Sequence, residues 1–232
     1  AGGLKINEVE ADGWLKELLE SFEKSEKLED LDQPADLDGE LRPYQQYGYS
    51  WLAFLRKWGM GACLADDMGL GKTIQTIALL QREKELKGVL PAPALLIAPT
   101  SVVTNWEREI GKFAPNLESY VHRGATRLKS GAFREAIQDK DVVLTSYPLV
   151  RIDSESFQSI QWLAVILDEA QNIKNPAAKQ TQEIKKLESD FRIALTGTPV
   201  ENRLSELWSI MQFLNPGYLG KQKVFREKFS LP

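Results

Sequence analysis

Residues 66–73, DDMGLGKT, combine glycines, a lysine and a threonine in a spacing that could bind phosphate. The phosphate-loop pattern is G-x-x-x-x-G-K-[ST], in which backbone N–H groups and the lysine bind phosphate oxygens and the hydroxyl binds Mg²⁺. Gly71, Lys72 and Thr73 match the pattern, but Asp66 stands where the first glycine belongs. The matching tripeptide alone would occur by chance in roughly one chain in ten of this length. Its context must therefore decide between a nucleotide site and a turn that uses glycine only for shape.

Asp168 and Glu169 follow the apolar run LAVIL and could bind a metal and activate water. One carboxylate can bind Mg²⁺, usually through water, and the other can orient and deprotonate an attacking water. An isolated acidic pair would more often be an ordinary loop, but here it accompanies a phosphate loop. We therefore predict an ATP·Mg²⁺ site in which Lys72, Asp168 and Glu169 are catalytic and Thr73 and Asp168 bind the metal. The sequence contains no Asn-Lys-x-Asp guanine-recognition motif, which favours ATP over GTP.

The hydrophobic pattern predicts the scaffold that would bring these residues together. Continuous apolar runs alternate with longer amphipathic stretches, which indicates a mostly parallel sheet with helices on both faces. Ligands bind such sheets beyond the C-terminal ends of the strands. Strands are predicted at residues 61–66, 94–100, 117–122, 141–147, 163–170 and 191–197. Helices are predicted from about residue 43 and at 71–87, 101–113 (with Ser101 as its cap), 128–137, 176–188 and 205–214.

Composition and charge exclude some classes of protein. The chain has 232 residues, of which 43% are hydrophobic and 27% charged, as expected for a globular protein. No run approaches the ~18 apolar residues that a membrane span needs, and a single cysteine excludes an internal disulfide framework. Residues 1–40 carry four lysines against thirteen acidic residues and have a net charge of −9, whereas the remainder has +5. The basic remainder permits DNA binding without demonstrating it.

This change in charge predicts two regions. Residues 13–31 have apolar side chains at helical spacing and predict a helix, followed by an acidic linker through residue 40. Residues 41–232 form the predicted nucleotide-binding domain. The acidic region is either a solvated linker to an upstream domain or a regulator that covers a basic DNA-binding face.

Taken together, several motifs resemble the first RecA-like lobe of the Swi/Snf-type ATPases of helicase superfamily two, over residues 41–230. They are LRPYQQYGYSWL (41–52), DDMGLGKT (66–73), APTSVVTNWEREI (98–110), LTSYPLV (144–150), DEAQNIKN (168–175) and LTGTPVENRLSELWSIMQFLNPG (195–217). The resemblance implies a RecA-like P-loop fold and an ATP-dependent translocase of double-stranded DNA. An acid at position 66 is usual in this family and does not indicate a dead site.

The resemblance also implies roles for individual residues at the nucleotide. The expected ATP-binding residues are Arg42, Gln45, Asp67, Met68, Gly69, Leu70, Gly71, Lys72, Thr73 and Ile74, with Gln45 and Arg42 on the adenine. A flexible, hydroxyl-rich loop of Thr196, Gly197 and Thr198 can hydrogen-bond Gln171 and report whether the γ-phosphate is present. A simple glycine turn is the alternative for this loop.

Other motifs imply contact with DNA. Short neutral donors suit a sugar–phosphate backbone that is gripped without reading bases. The expected DNA-binding residues are Ser101, Asn105, Thr145, Ser146 and Tyr147, unless these residues only cap helices and strands. A second RecA-like lobe is expected to complete the site, because the sequence stops after the last motif of the first lobe. We therefore expect this chain to bind ATP but to hydrolyse it poorly, and a protein bound to DNA to be a further partner.

The sequence leaves two alternative functions open. One is a non-catalytic ATP-gated clamp or scaffold, and another is a strand-separating helicase. The DEAQ variant favours a prokaryotic source and hence the cytoplasm, near the nucleoid; a eukaryotic source would imply the nucleus.

Several other conspicuous residues have simpler interpretations. His122 is the only histidine, so a zinc site is not expected; a structural or solvent role is favoured over a DNA-side role. Cys63 is interpreted as a small core residue. Trp51, Trp106 and Trp208 lie on apolar helical faces and predict core packing rather than base stacking.

Overall fold

The computed structural model describes residues 30–198 and 204–229. Within these residues the strands are β1 (Ala62–Leu64), β2 (Ala94–Ala98), β3 (Ser119–Val121), β4 (Val142–Ser146), β5 (Gln161–Asp168) and β6 (Glu188–Leu195). The helices are α1 (Pro43–Lys57), α2 (Lys72–Lys87), α3 (Val103–Phe113), α4 (Ser130–Ala136), α5 (Tyr147–Ile152), α6 (Ser154–Gln158), α7 (Lys179–Lys185), α8 (Leu204–Leu214) and α9 (Gln222–Phe229). A short 3₁₀ helix spans Ala170–Ile173.

The strands form one sheet in the order β1-β6-β5-β2-β4-β3, and every pair in it is parallel. The predicted parallel α/β fold is confirmed. The central strands are buried on both faces, which is why they read as continuous apolar runs. On β2, Leu96 packs into a cluster that includes side chains of α1, α2 and α3, whereas Leu95 packs into a cluster that includes side chains of α4, α6, α7 and α8. Helices therefore cover both faces of the sheet.

The structure differs from the sequence prediction mainly in its short elements. The helices α5, α6 and α9 were not predicted; α5 and α6, of six and five residues, hold too few turns to show a period. Glu188, expected in a helix, begins β6. Ser101 does not cap α3, since Val102 precedes the first helical residue and makes no capping hydrogen bond. No helix in the described parts of the chain is long and apolar enough to cross a bilayer.

The described part of the acidic segment packs against the domain. Most of the helix predicted at residues 13–31 lies outside the described residues, and Asp30 and Leu31 are not helical. Leu37 is buried in the cluster beneath α1 and α2. Leu31 donates its backbone N–H to Ser50 Oγ at 2.9 Å, and Glu85 accepts backbone hydrogen bonds from residues 35 and 36. The described part of the segment is thus anchored to the domain, and both interpretations of residues 1–40 as a whole stay predictions.

Candidate active site

The predicted site residues follow strands whose C-terminal ends lie along one edge of the sheet. Because β6 pairs with both β1 and β5, Leu64 and Asp168 are both level with Leu195. Neighbouring strands lie ~4.8 Å apart, so two strand spacings, or about 10 Å, separate Asp168 from Leu64, the last residue of the strand before the phosphate loop. The predicted convergence of the phosphate loop and the acidic pair is confirmed. A triphosphate with a bound metal can span such a distance.

The phosphate loop is a tight turn that leads into α2. Gly69 and Gly71 have φ values of +84° and +83°, a conformation that side chains with a Cβ rarely adopt. The Lys72 ammonium donates to the carbonyl oxygens of Asp66 at 2.6 Å and Asp67 at 3.1 Å. The positive charge is thus held inside the turn at the N-terminus of α2, where the helix dipole also favours anions.

Asp66, the acid that replaces the usual glycine, has a structural partner. Its Oδ2 accepts a hydrogen bond from Gln75 Nε2 at 3.2 Å. Gln75 is fully buried and lies against Gly48, where any side chain would collide with it. The carboxylate therefore ties the start of the loop to the first turn of α2. This contact gives a physical reason why an acid can stand at this position.

Gln45 connects the start of α1 to the phosphate loop. Its Oε1 accepts from the backbone N–H of Arg42 at 3.0 Å, and its Nε2 donates to the Leu70 carbonyl at 3.2 Å. The Gln45 side chain is buried beside the loop, whereas Arg42 is exposed. Adenine recognition by these two residues stays a prediction.

The remaining predicted ATP-binding residues differ in how they could contact a ligand. Asp67, Met68, Gly69 and Leu70 form the exposed part of the loop. The Ile74 side chain is buried in the core beneath α1, so only its backbone could reach a nucleotide. The predicted role of Ile74 is thereby restricted to its backbone.

Gly71→Ala should weaken ATP binding far more than Gly69→Ala. Both changes force a Cβ into the left-handed region, but only the one at Gly71 collides with Gln45 Nε2; nothing lies within 4 Å of a Cβ at Gly69. Displacing Gln45 breaks its two hydrogen bonds, so we expect an extra loss of about tenfold in ATP affinity. Isothermal titration of both variants measures the difference. Equal losses in the two variants would show that Gln45 does not support the loop.

The Asp168 carboxylate is fixed by two donors. Its Oδ2 accepts from Trp106 Nε1 at 2.8 Å, and its Oδ1 accepts from the backbone N–H of Glu169 at 2.9 Å. Burial raises the pKa of Asp168, and the neighbouring charge of Glu169 adds to the rise, while the Trp106 hydrogen bond and the charge of Lys72 oppose it. A nearby divalent cation would favour the charged form of this carboxylate.

Glu169 is linked to the predicted coupling loop through Gln171. Glu169 has a φ of +52°, rare for a residue with a side chain. Its Oε2 accepts from Gln171 Nε2 at 2.7 Å, and Gln171 Oε1 accepts from Thr196 Oγ1 at 3.0 Å. Thr198 donates its backbone N–H to Thr196 Oγ1 at 3.1 Å. The predicted contact between Thr196 and Gln171 is present; its role in sensing nucleotide stays a prediction.

Gly197 brings this loop against the phosphate loop. A Cβ at Gly197 would lie 3.6 Å from Met68 Cγ and 3.8 Å from the Asp66 carbonyl, and Thr196 donates its backbone N–H to the Leu64 carbonyl at 3.2 Å. The phosphate loop, the acidic pair and the coupling loop are therefore in one contiguous arrangement.

Two of the predicted DNA-binding residues lie at the start of α3. Ser101 is exposed, and Asn105 is half-buried with its amide hydrogen-bonded to Glu109 at 3.1 Å. The side chain of Asn105 also accepts from Arg108. DNA contact by Ser101 and Asn105 stays a prediction.

The prediction that the side chains of Thr145, Ser146 and Tyr147 donate to DNA is contradicted by their burial. All three are at most 3% exposed. Thr145 Oγ1 donates to the His122 carbonyl at 3.3 Å, and Tyr147 Oη donates to the Asp168 carbonyl at 2.7 Å. Tyr147 is the first residue of α5, and its ring packs into the core on one face of the sheet. A DNA contact here would have to come from the backbone.

His122 has the structural role that the sequence favoured. It is fully buried, with its ring edge-on to Phe133 and Phe157 and its Nε2 3.1 Å from Asp153 Oδ2. Burial lowers the pKa of His122, although Asp153 opposes this. Asp153 also accepts hydrogen bonds from Arg127 and pairs with Lys129 at 2.9 Å. No motif in the sequence indicated this cluster, because Asp153 lies 31 residues along the chain from His122.

The other conspicuous residues pack much as expected. Cys63 is partly buried against the core, and burial raises the pKa of its thiol to about 11. Trp51 is partly buried and Trp106 fully so, while Trp208 is half-buried and donates its Nε1 hydrogen to the Gly220 carbonyl at 3.1 Å. What the sequence reading missed is the acceptor for Trp106. A buried indole N–H needs a partner, and that requirement was the available signal.

A family model described as the SNF2-related domain matches residues 44–232. The putative ATP-dependent helicase/translocase YwqA of Bacillus subtilis is 50% identical over 218 residues, which are 94% of this chain and 24% of that protein. The TATA-binding protein-associated factor mot1 of Aspergillus fumigatus is 39% identical over 216 residues, which are 89% of this chain and 11% of that protein. The chain thus spans a quarter or less of the length of these two relatives.

The fold also matches a solved structure. The Sulfolobus solfataricus SWI2/SNF2 ATPase core in complex with dsDNA is 46% identical and superimposes with a TM-score of 0.78, covering 87% of this chain and 41% of that chain. The RecA-like fold implied by the sequence motifs is confirmed.

Proposed function

Because the chain belongs to the family of SNF2-related domains, we propose that it is the ATP-binding lobe of a motor that moves along double-stranded DNA. The single observation that carries this proposal is the convergence of the phosphate loop, Asp168 and Glu169 on one edge of the sheet. The link from Glu169 through Gln171 to Thr196 supports it. A scaffold that acts only by binding would not need a carboxylate held ready to activate water.

The side chains at this edge fit a magnesium–ATP complex. Lys72 and the N-terminus of α2 supply positive charge for the β and γ phosphates, and Thr73 and Asp168 supply the hydroxyl and carboxylate oxygens that magnesium prefers. In the bound complex Mg²⁺ would neutralise charge on the phosphates. We expect Lys72 to exchange its two loop carbonyls for phosphate oxygens. Glu169, oriented by Gln171, then positions a water and accepts its proton.

Full turnover in this proposal needs a second RecA-like lobe. Closure of a second lobe would bring arginine side chains to the γ-phosphate, and such fingers are worth about 10³–10⁵ in rate. We therefore propose that the chain alone binds ATP but hydrolyses it slowly. Alternating closure and release against the DNA backbone would convert turnover into stepping.

Duplex DNA is the proposed track, and the start of α3 is the proposed contact. Ser101 and Asn105 offer neutral donors that suit phosphates, and a structure similar to this chain was solved with dsDNA. A protein bound to DNA is a proposed further partner, because one relative is named as a factor associated with the TATA-binding protein. The predicted location remains the cytoplasm near the nucleoid for a prokaryotic source, or the nucleus for a eukaryotic one.

Calorimetry of the 232-residue chain tests the nucleotide site directly. We expect Mg·ATP to bind, and Lys72→Ala to weaken binding by about 10–100-fold through loss of charge-assisted hydrogen bonds. Hydrolysis by the same sample should stay slow whether or not DNA is added. Duplex affinity should fall as salt rises, with a slope of about −0.9 in log–log form per phosphate contact. The proposal would be refuted if no adenine nucleotide bound, or if the chain alone showed the DNA-stimulated rate expected of a two-lobed enzyme.

A further inference from the structure

Two buried aromatic side chains, Trp106 and Tyr147, hydrogen-bond to the acidic pair from opposite faces of the sheet. Trp106 belongs to the cluster under α3, whereas Tyr147 belongs to the cluster on the other face. Trp106 donates to the Asp168 carboxylate, and Tyr147 Oη lies 2.7 Å from the Asp168 carbonyl and 3.4 Å from that of Glu169.

These hydrogen bonds act on the two features that set the geometry of the acidic pair. The Trp106 bond, with the backbone N–H of Glu169 on the other oxygen, fixes the plane of the carboxylate proposed to hold the metal. The Tyr147 bond orients the peptide groups next to Glu169, whose backbone is in the left-handed region. A rare conformation persists only where its surroundings hold it. Simple core packing would not require either bond to end on these residues.

Both aromatic side chains belong to segments that the sequence assigned to DNA, although at Tyr147 only the backbone could make that contact, because the side chains there are buried. Trp106 follows Asn105 directly on α3, and Ser101 lies two residues before the first residue of that helix. Tyr147 is the first residue of α5, directly after β4. A rigid helix transmits a small displacement along its length, and packed cores switch between discrete arrangements rather than deforming continuously.

We propose that Trp106 and Tyr147 are positioning residues that couple DNA contact at these two segments to the geometry of Asp168 and Glu169, so that DNA regulates the binding of magnesium–ATP. This inference rests on the proposed function. Coupling between two ligands is reciprocal, so Mg·ATP should also change the affinity for DNA.

Two conservative variants and two matched controls test the coupling. Trp106→Phe and Tyr147→Phe remove one donor each and keep an aromatic ring. Trp162→Phe is the control for the tryptophan, since Trp162 is equally buried but donates to the Phe157 carbonyl. Tyr49→Phe is the control for the tyrosine, since the buried Tyr49 donates to the Asp32 carbonyl. For each protein, ATP affinity is measured in magnesium and in EDTA, with and without a short duplex at low salt, and thermal unfolding is recorded.

In the wild-type chain we expect duplex DNA to change Mg·ATP affinity by about 5–150-fold. Trp106→Phe and Tyr147→Phe should reduce that factor to about twofold or less, whereas the controls retain it. Trp106→Phe should also weaken binding about tenfold in magnesium but leave it unchanged in EDTA, because the phosphate loop is intact. A merely structural role would lower all four affinities together. Tyr147→Phe removes only the hydroxyl oxygen and is expected to fold. It therefore tests the coupling by itself if Trp106→Phe does not fold.

The possible failures are distinguishable. If the wild type binds neither Mg·ATP nor DNA, the proposed function is wrong and the inference falls with it. If the wild type binds both without coupling, or if both variants keep the wild-type factor, the proposed function stands and the inference alone is wrong.

Discussion

Replacing Glu169 with glutamine is expected to reduce ATP turnover by about 10²–10⁴-fold while ATP affinity stays within about twofold of wild type. An amide has the size of the carboxylate and can still accept the hydrogen bond from Gln171, but it cannot take a proton from water. The assay is DNA-stimulated ATP hydrolysis by the protein carrying both lobes, with nucleotide affinity measured in parallel. Asp168→Asn provides the contrast, because loss of the proposed metal ligand should weaken magnesium-dependent binding itself.

Glu135→Gln is a suitable control, since Glu135 is exposed on α4 and lies outside the proposed site. A Glu169→Gln variant that hydrolyses ATP at the wild-type rate would require another base. If turnover is lost but the biological activity of the two-lobed protein survives, the ATP-gated clamp or scaffold would become the better account. Displacement of an oligonucleotide from a duplex would instead favour a strand-separating helicase.

The sequence was sufficient to predict the arrangement of the site edge because of a property of parallel sheets. Continuous apolar runs such as β5 are typical of buried strands in a parallel sheet, and the C-terminal ends of parallel strands share an edge whatever their order. Placing Lys72 and Asp168 at the same edge therefore needed only the element types, whereas their short separation depends on β6 lying between β1 and β5. The contact between Thr196 and Gln171 was predicted from the resemblance to the Swi/Snf-type ATPases.

Contacts that depend on strand order or on short helices were not predictable in this way. The acceptor of the Trp106 hydrogen bond is Asp168 because β2 pairs with β5, and no periodicity encodes that pairing. The sequence predicted that the hydroxyls of Thr145 and Tyr147 are surface donors, but both side chains are buried, and the six residues of α5 are too few to show a helical period. Residues 32–40 were predicted to be an acidic linker from their charge, although Leu37 is in the core.

The largest effect on stability is expected at Asp153, which has no proposed part in catalysis. Its side chain is 1% exposed and receives the Arg127 guanidinium, which is 12% exposed. Asp153→Asn would leave a buried arginine without its counter-charge, which typically costs about 3–5 kcal/mol. Urea unfolding at neutral pH measures the loss. Glu118→Gln is the matched control, because its pair with Lys140 is mostly exposed and should contribute less than about 1 kcal/mol.

The pH dependence of this effect has a definite sign. Burial alone would raise the pKa of Asp153, but the hydrogen bonds from Arg127, His122 and Lys129 outweigh it and hold that pKa well below its usual range. Stability from a depressed carboxyl pKa is fully present above the unfolded value of about 3.9 and is lost as pH falls towards the folded value. The difference between wild type and Asp153→Asn should therefore not shrink between neutral pH and about pH 5, where loss of Asp153 lets the pKa of His122 fall further, and it should shrink in stronger acid. Because the pKa of buried His122 is lowered, the unfolded chain takes up that proton first, and the fold loses stability as pH falls below about 6.5. This loss begins at a higher pH than the loss from Asp153. A difference that stayed constant down to strong acid would show that the Asp153 charge does not stabilise the fold.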